Sequence, residues 1–462
     1  MSPRLRHPWL VVAILTAGLA AWMGLGTLHQ FQHADSLLTV LISTQRWTPF
    51  FWGQDRFGML VPLVAMPIRH PLANLLAQGW MMTSAALLAP FVLARFLTGR
   101  AGPWLTIGAC SNTLFLLVAT PAVQFDWLVA QPYGLSISLG FAALILAADI
   151  PRLPAGIAAF VLLTLACWVN IGVGLMLATA TVTVGSRPVR LLALCVTATV
   201  LASLAARYGA TAHTVSSLAT PAQWLDGWRQ LLENLPGVTA SPGTVVGIAA
   251  GTAVAVAWLW RSGALPPWRP AAAIVAMAVL TWLVVGMSLW VGMNRYVFRY
   301  MYPTLMIVGV GVSMVVAALF AARAKAMAAA AMVAWAAAAI MRYGTPSLAR
   351  VERDIDDRFG AKTAAILHSG ATVVGGDYWR VWPAVFHANL ALVRTHAHAR
   401  VFGLAYRSEE TDPLWQRAGA SILIAGSPDD PSVAAVAGEH GVAAALQTHL
   451  PEIDLYAGRI SP

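Results

Sequence analysis

Only six acids occur in the first 341 residues, and two of them, Asp35 and Asp55, fall in one stretch twenty residues apart. Asp35 follows the apolar run 9–27, where a membrane helix would leave the bilayer. A carboxylate at that boundary is partly desolvated, so it can serve as an acid–base group or hold a metal ion. A loop acid capping the next helix is the rival reading. Asp55 stands in the aromatic-rich element Phe51-Trp52-Gly53-Gln54-Asp55-Arg56-Phe57-Gly58, beside the cation Arg56. Asn294-Arg295-Tyr296-Val297-Phe298-Arg299-Tyr300-Met301-Tyr302-Pro303 sets two further cations among aromatic rings.

These groups need elements to position them, and composition says what kind. Hydrophobic residues make up 58% of the 462 and charged residues 10%, with a mean hydropathy of +0.69. A soluble domain carries roughly 25% charged residues. A soluble enzyme over most of the length, a disordered chain and a coiled coil are excluded. Thirteen of the nineteen acids lie in 342–462, so the chain divides into a membrane part, 1–341, and a water-soluble part, 342–462. The net charge of +10 belongs to the membrane part, where short cytoplasmic loops collect arginine, and is no sign of nucleic-acid binding. Cys110, Cys167 and Cys195 lie in apolar runs without CxxC spacing and read as packing residues.

Apolar stretches at 9–27, 72–97, 103–120, 133–149, 155–169, 171–184, 188–207, 243–260, 271–291, 301–321 and 326–341 predict about eleven spans. The first reads as a retained helix, not a cleaved signal peptide. The segments 155–169 and 171–184 are short, and a re-entrant hairpin turning at Trp168-Val169-Asn170 is the alternative. Alternation puts Arg95/Arg100, Arg152, Arg187/Arg190, Arg261/Arg269 and Arg323/Lys325 on the cytoplasmic side with the N-terminus. The tail then lies outside. Arg46, Arg56, Arg69, Arg295 and Arg299 fall on the outer side, against the usual bias, which makes them candidates for function.

The tail reads as a small α/β domain. Runs 371–376, 399–403 and 421–426 end in glycine and predict strands, 453–457 a further strand, and 347–368 and 431–447 helices. His396 and His398 alternate but lack a third ligand, so surface histidines are favoured over a metal site. Gly375-Gly376 lacks the GxGxxG pattern of a nucleotide site.

Several of these features together resemble the GT-C superfamily, integral-membrane glycosyltransferases that use polyprenyl-phosphate sugars, such as the dolichyl-phosphate-mannose and aminoarabinose transferases. They are an Asp just past the first membrane helix, the Trp-Gly-Gln-Asp-Arg-Phe-Gly element, many spans and an outer C-terminal domain. The Arg295-Tyr296…Pro303 segment is similar to an element before a late span there. Gly376-Asp377-Tyr378-Trp379-Arg380-Val381-Trp382-Pro383-Ala384-Val385-Phe386 looks like an element of bacterial members. The layout covers the whole chain, but the motifs are short and identify no substrate.

The resemblance implies a mainly α fold and an inverting transfer of one sugar to an envelope glycan, lipid or protein. It places Asp35 as the catalytic carboxylate, with Asp55 assisting it or holding a divalent metal. It makes Arg56, Arg295 and Arg299 candidates for the donor phosphate, whose oxygens suit the forked guanidinium. His33, Tyr296, Tyr300 and Asp126 are the candidates for the cavity lining. Structural alternatives remain: an ion pair of Arg56 with Asp55 or Asp35, snorkelling arginines, and interfacial anchors for the Tyr296/Tyr300 and Phe125-Asp126-Trp127 clusters. Trp224–Arg229 reads as an amphipathic helix lying on the membrane. Asp377-Tyr378-Trp379 reads as packing the soluble domain onto the membrane part, with acceptor binding as the second reading.

Arginine exceeds lysine 27 to 2, which points to a GC-rich bacterial genome, an undecaprenyl carrier, the inner membrane and a periplasmic tail. A transporter or flippase of lipid-linked sugars is the runner-up, weakened by the scarcity of acids in the spans. A non-catalytic envelope assembly protein is the third reading.

Overall fold

All eleven apolar stretches are helical in the computed structural model, which describes residues 6–149, 152–185, 187–210, 218–239, 241–264, 267–430 and 432–461. In lipid each backbone N–H must find its acceptor within the segment, which a helix supplies. Among the described residues seven helices are long and apolar enough to cross a membrane, or up to eight if Pro121–Ala130 and Tyr133–Asp149, bent by 55°, count as one. Trp104–Val118, Leu153–Val169 and Val173–Val184 are apolar but shorter. The last two are separated by a break at Asn170, whose side chain accepts from Gly172 N at 3.1 Å.

The chain forms two compact units. One comprises Met1–Thr27, Trp80–Tyr208 and Thr214–Pro346; the other comprises Leu28–Gly79, Gly209–His213 and Ser347–Pro462. The stretch after the first span thus belongs with the tail, a grouping that charge alone does not reveal.

In the helical unit the chains approach closely through small residues, as membrane helices do. A Cβ on Gly134 would lie 2.4 Å from Ala86 Cα, so these two helices touch backbone to backbone. Buried polar groups fasten the bundle. Asn112 Nδ2 donates to Leu87 O at 2.9 Å, Gln124 Nε2 donates to Leu116 O and Ala119 O, and Tyr343 Oη donates to Gln124 Oε1 at 2.5 Å.

The second unit is built on a five-stranded sheet: β1 (Val373–Gly375), β2 (Phe402–Leu404), β3 (Ser421–Gly426), β4 (Val442–His449) and β5 (Asp454–Ile460), in the order β2-β1-β3-β5-β4. β1 runs parallel to β2 and β3; β5 is antiparallel to β3 and β4. The helix Leu348–Ser369 starts at the cap Ser347, whose hydroxyl accepts from Arg350 N, and ends at left-handed Gly370. The structure corrects one expectation, a helix over 431–447. The helix covers only Val433–Glu439, Gly441 turns at φ +72°, and the alanines beyond it form β4. Alanine favours helix in isolation, but the ladder offered by β5 overrides that weak preference.

The stretch 28–79 is no open loop. Helix Ala34–Thr44 presents Ala34, Leu38, Leu41 and Ile42 on one face, and these pack with Val381, Trp382, Val385 and Ala388 of helix Tyr378–Arg394. After it, an antiparallel bridge between Phe50 and Gly58 closes the Trp52–Phe57 segment into a tight loop. Trp52 is fully buried, edge-on to fully buried Trp382 at 5.7 Å. Two motifs more than 300 residues apart in sequence are thereby joined in one core.

Candidate active site

Three local turns build the site in the second unit. Asp35 stands in the first turn of helix Ala34–Thr44, whose N-cap is His33. The acid therefore lies at the positive end of the helix dipole. It is not the cap: its Oδ1 accepts from Tyr378 Oη at 2.6 Å.

Tyr378 opens its own helix just beyond β1. Gly376 makes the turn at φ +130°, where a Cβ would lie 2.4 Å from Asp430 Oδ2. Asp377 caps the helix by accepting from Trp379 N at 2.9 Å, and its own N–H donates to Asp430 at 2.5 Å. Burial opposes charge on Asp430, but the Ser432 hydroxyl and the backbone N–H groups of Asp377 and Ser432 outweigh it and hold the carboxyl below its ordinary range.

The third turn follows β2. Arg407, in the left-handed region at φ +80°, lays its guanidinium 4.9 Å from the Phe51 ring, 5.0 Å from Tyr378 and 5.1 Å from Tyr406. Its Nη1 is 3.5 Å from Tyr378 Oη, as a long donor contact. Gly53 faces it at φ +65°, and a Cβ there would meet Arg407 Cγ at 2.9 Å. Tyr378 and Arg407 both lie outside the carboxyl ends of parallel strands, the usual place for ligands in α/β sheets.

Behind this turn, His440 Nδ1 lies 2.5 Å from Asp412 Oδ2. Ser408 is wholly buried, its Oγ 3.5 and 3.4 Å from the two ring nitrogens of His440. A serine nucleophile needs an in-line base and access to substrate. Here the hydroxyl is nearly equidistant from both nitrogens and wholly buried, so the trio is a structural clamp. The Asp412 hydrogen bond is the main cause that raises the His440 pKa, with burial acting the other way. Its stabilisation is therefore complete below the unfolded value of about 6.5 and is lost as pH rises through the higher folded value. Amide protection of residues 405–412, corrected for intrinsic exchange, is expected to fall across that window in the wild type. In His440→Gln it should stay flat.

The other candidates fall as follows. His33 lies edge-on to Trp379 at 6.0 Å. Asp55 sits in the loop closed by Phe50 and Gly58. Arg56 donates to Gln54 Oε1 at 3.2 Å and stacks over Phe57 at 5.2 Å. Arg46, also against the charge bias, donates to Glu410 O, which gives it a structural role. Asp126, Arg295, Tyr296, Arg299 and Tyr300 belong to the helical unit. There Asp126 accepts from Tyr302 Oη at 3.0 Å, in a π-helical turn whose neighbours Phe125 and Trp127 are buried. Tyr296 and Tyr300 are buried in a small core with Leu231, Val291 and Met301 and do not form a surface belt. Arg299 lies over Tyr300 at 5.3 Å, and Arg295 is exposed with a left-handed backbone. Trp127 and Tyr302 line an apolar cavity of about 450 Å³ with Phe115, Val238, Val246 and Met306. Among the described residues no group of three or more His, Cys, Asp or Glu is placed to hold a metal ion.

Sequence reasoning missed Arg407. Its signal was faint: a Tyr-Arg pair just past a short strand in a polar domain.

No protein-family model matches the chain, and no curated protein matches it by sequence. By structure it is similar to the crystal structure of ArnT from Cupriavidus metallidurans bound to undecaprenyl phosphate, with a TM-score of 0.52, 13% identity and 98% of each chain covered. The chain thus has the fold of that structure, a polytopic membrane architecture completed by a small C-terminal sheet.

Proposed function

We propose that the protein is an inverting membrane glycosyltransferase that moves one sugar from a polyprenyl-phosphate carrier to an envelope glycan, lipid or protein. The observation that carries this reading is the setting of Asp35: a half-buried carboxylate at a helix N-terminus, held by the Tyr378 hydroxyl at 2.6 Å. The likeness to a structure that holds undecaprenyl phosphate supports the choice of donor.

In the reaction Asp35 takes the proton of the acceptor hydroxyl as its oxygen attacks C1 of the sugar. The bond from C1 to the phosphate oxygen breaks, and the carrier phosphate leaves with its electron pair. Asp55 assists Asp35. Arg56, Arg295 and Arg299 are the candidates for the departing phosphate, whose oxygens suit a bidentate guanidinium. The apolar cavity beside Trp127 and Tyr302 suits the carrier's hydrocarbon. Trp379 and Tyr406, each about half exposed next to Tyr378, offer ring faces to a sugar acceptor. The chain works in a bacterial inner membrane, its N-terminus cytoplasmic and its C-terminal domain periplasmic.

Binding of undecaprenyl phosphate to the purified protein tests the donor half. Native mass spectrometry should show one bound lipid, and Arg299→Gln should weaken binding by roughly tenfold, as for the loss of a charge-assisted bond. A wild-type protein that does not bind this lipid above an unphosphorylated polyprenol contradicts the reading.

A further inference from the structure

Arg407 has no part in the roles assigned above, yet the fold goes to some length to hold it beside Asp35. Its backbone is left-handed at φ +80°, a region where glycine or asparagine is at ease and arginine is strained. Across from it Gly53 leaves room for its stem that any side chain would fill. Three aromatic rings from three parts of the chain, Phe51, Tyr378 and Tyr406, surround the guanidinium within about 5 Å. On its C-terminal side, the buried Ser408 and the Asp412–His440 pair anchor the loop.

We infer that Arg407 is a positioning residue of the soluble domain, which fixes the Tyr378 hydroxyl and, through it, orients the Asp35 carboxylate. This rests on the proposed transfer reaction and deepens it. The contacts run in one direction. Arg407 Nη1 faces Tyr378 Oη at 3.5 Å, and Tyr378 Oη donates to Asp35 Oδ1 at 2.6 Å. An arginine near the hydroxyl cannot accept its proton, because a guanidinium carries donors only. The hydroxyl is therefore left to point its proton at Asp35, the acceptor on its other side. The two ring faces beyond Tyr378 limit where the guanidinium can go. The carboxylate is thereby held at Oδ1 by a group on a different element. A purely structural arginine would satisfy its own donors, but Arg407 Nε is buried without a hydrogen-bond partner among the described residues. Its placement serves the ring and hydroxyl of Tyr378 at the expense of its own hydrogen bonding.

The test uses the full chain in membranes of a deletion strain, with lipid-linked sugar and glycan followed by mass spectrometry. Arg407→Met and Tyr378→Phe should each slow transfer by roughly ten- to a hundredfold, the range expected for a bond to a charged group. The double variant should be no slower than the slower single, because both changes cut one chain of contacts. Undecaprenyl phosphate binding to the purified variants should equal that of the wild type. The inference is overturned by a wild-type rate in Arg407→Met, by additive losses in the double variant, or by carrier binding that falls along with transfer. Should Arg407→Met not accumulate, Arg407→Lys decides. It keeps a cation among the rings but lacks the fork, so slowed transfer upholds the inference and a wild-type rate overturns it. Asp35→Asn run in parallel separates the two claims. A wild-type rate there removes the catalytic carboxylate itself, whereas an inactive Asp35→Asn beside a normal Arg407→Met removes only the positioning role.

Discussion

Asp35→Asn is expected to cut sugar transfer by roughly 10²- to 10⁴-fold, the usual worth of a positioned general base. The substitution keeps size and shape. An asparagine oxygen can still accept from Tyr378, so the 2.6 Å bond and the packing of Ala34, Leu38 and Leu41 beneath it should survive. What disappears is a group that can take the acceptor's proton. Asp126→Asn provides the contrast. Asp126 accepts from Tyr302 within the helical unit and is given no part in proton transfer, so its loss should change stability before rate. Transfer measured in membranes at matched protein level separates the two. Equal, modest losses in both variants would deny Asp35 a chemical role.

Trp382→Ala is expected to have the largest effect on stability, about 3–5 kcal/mol, as for other wholly buried aromatic residues cut to alanine. That is a large share of the 5–15 kcal/mol typical of a folded domain. The side chain is fully buried, meets Trp52 edge-on at 5.7 Å and lies against Gly403, where a Cβ would be 2.5 Å away. It joins the segment after the first span to the sheet domain. Its removal should therefore expose residues 45–59 to protease and lose activity as well, because the partnership of Asp35 with Tyr378 depends on the same packing. Trp52→Ala should copy both effects. Wild-type protease resistance in Trp382→Ala would show that this pair is not the joint.

Much of the architecture was legible because hydropathy acts locally. Each apolar stretch from 72–97 to 326–341 became a helix within a few residues of its predicted ends, since lipid leaves the backbone no other choice. Strands β1, β3 and β5 were visible as short apolar runs, each of the first two stopped by glycine. Strand β4 was hidden because its alanines favour helix and its edge position leaves no alternation of burial to read. Helix Tyr378–Arg394 showed only its Asp-Tyr-Trp start. Asp35 could be singled out as a rare acid at a membrane boundary. Arg407 could not: it is one of eleven basic residues in a polar tail, and its meaning comes from Phe51, Tyr378 and Asp35, which only the fold brings near. Phe125 and Trp127 suggested interfacial anchors or a cavity lining, and Tyr296 and Tyr300 an aromatic belt or a cavity lining; all four are buried, and Trp127 lines the apolar cavity with Tyr302.

Transfer of a sugar from a polyprenyl phosphate by way of Asp35 would leave its mark on the envelope. Its most direct test is mass spectrometry of envelope glycans and polyprenyl-phosphate sugars in a deletion strain, and in that strain carrying the wild type or Asp35→Asn. One sugar should vanish from a glycan, lipid or protein while its lipid-linked form accumulates, and only the wild type should reverse both changes. Full complementation by Asp35→Asn at equal expression would contradict the account, as would a deletion strain whose lipid-linked sugars and glycans match those of the parent.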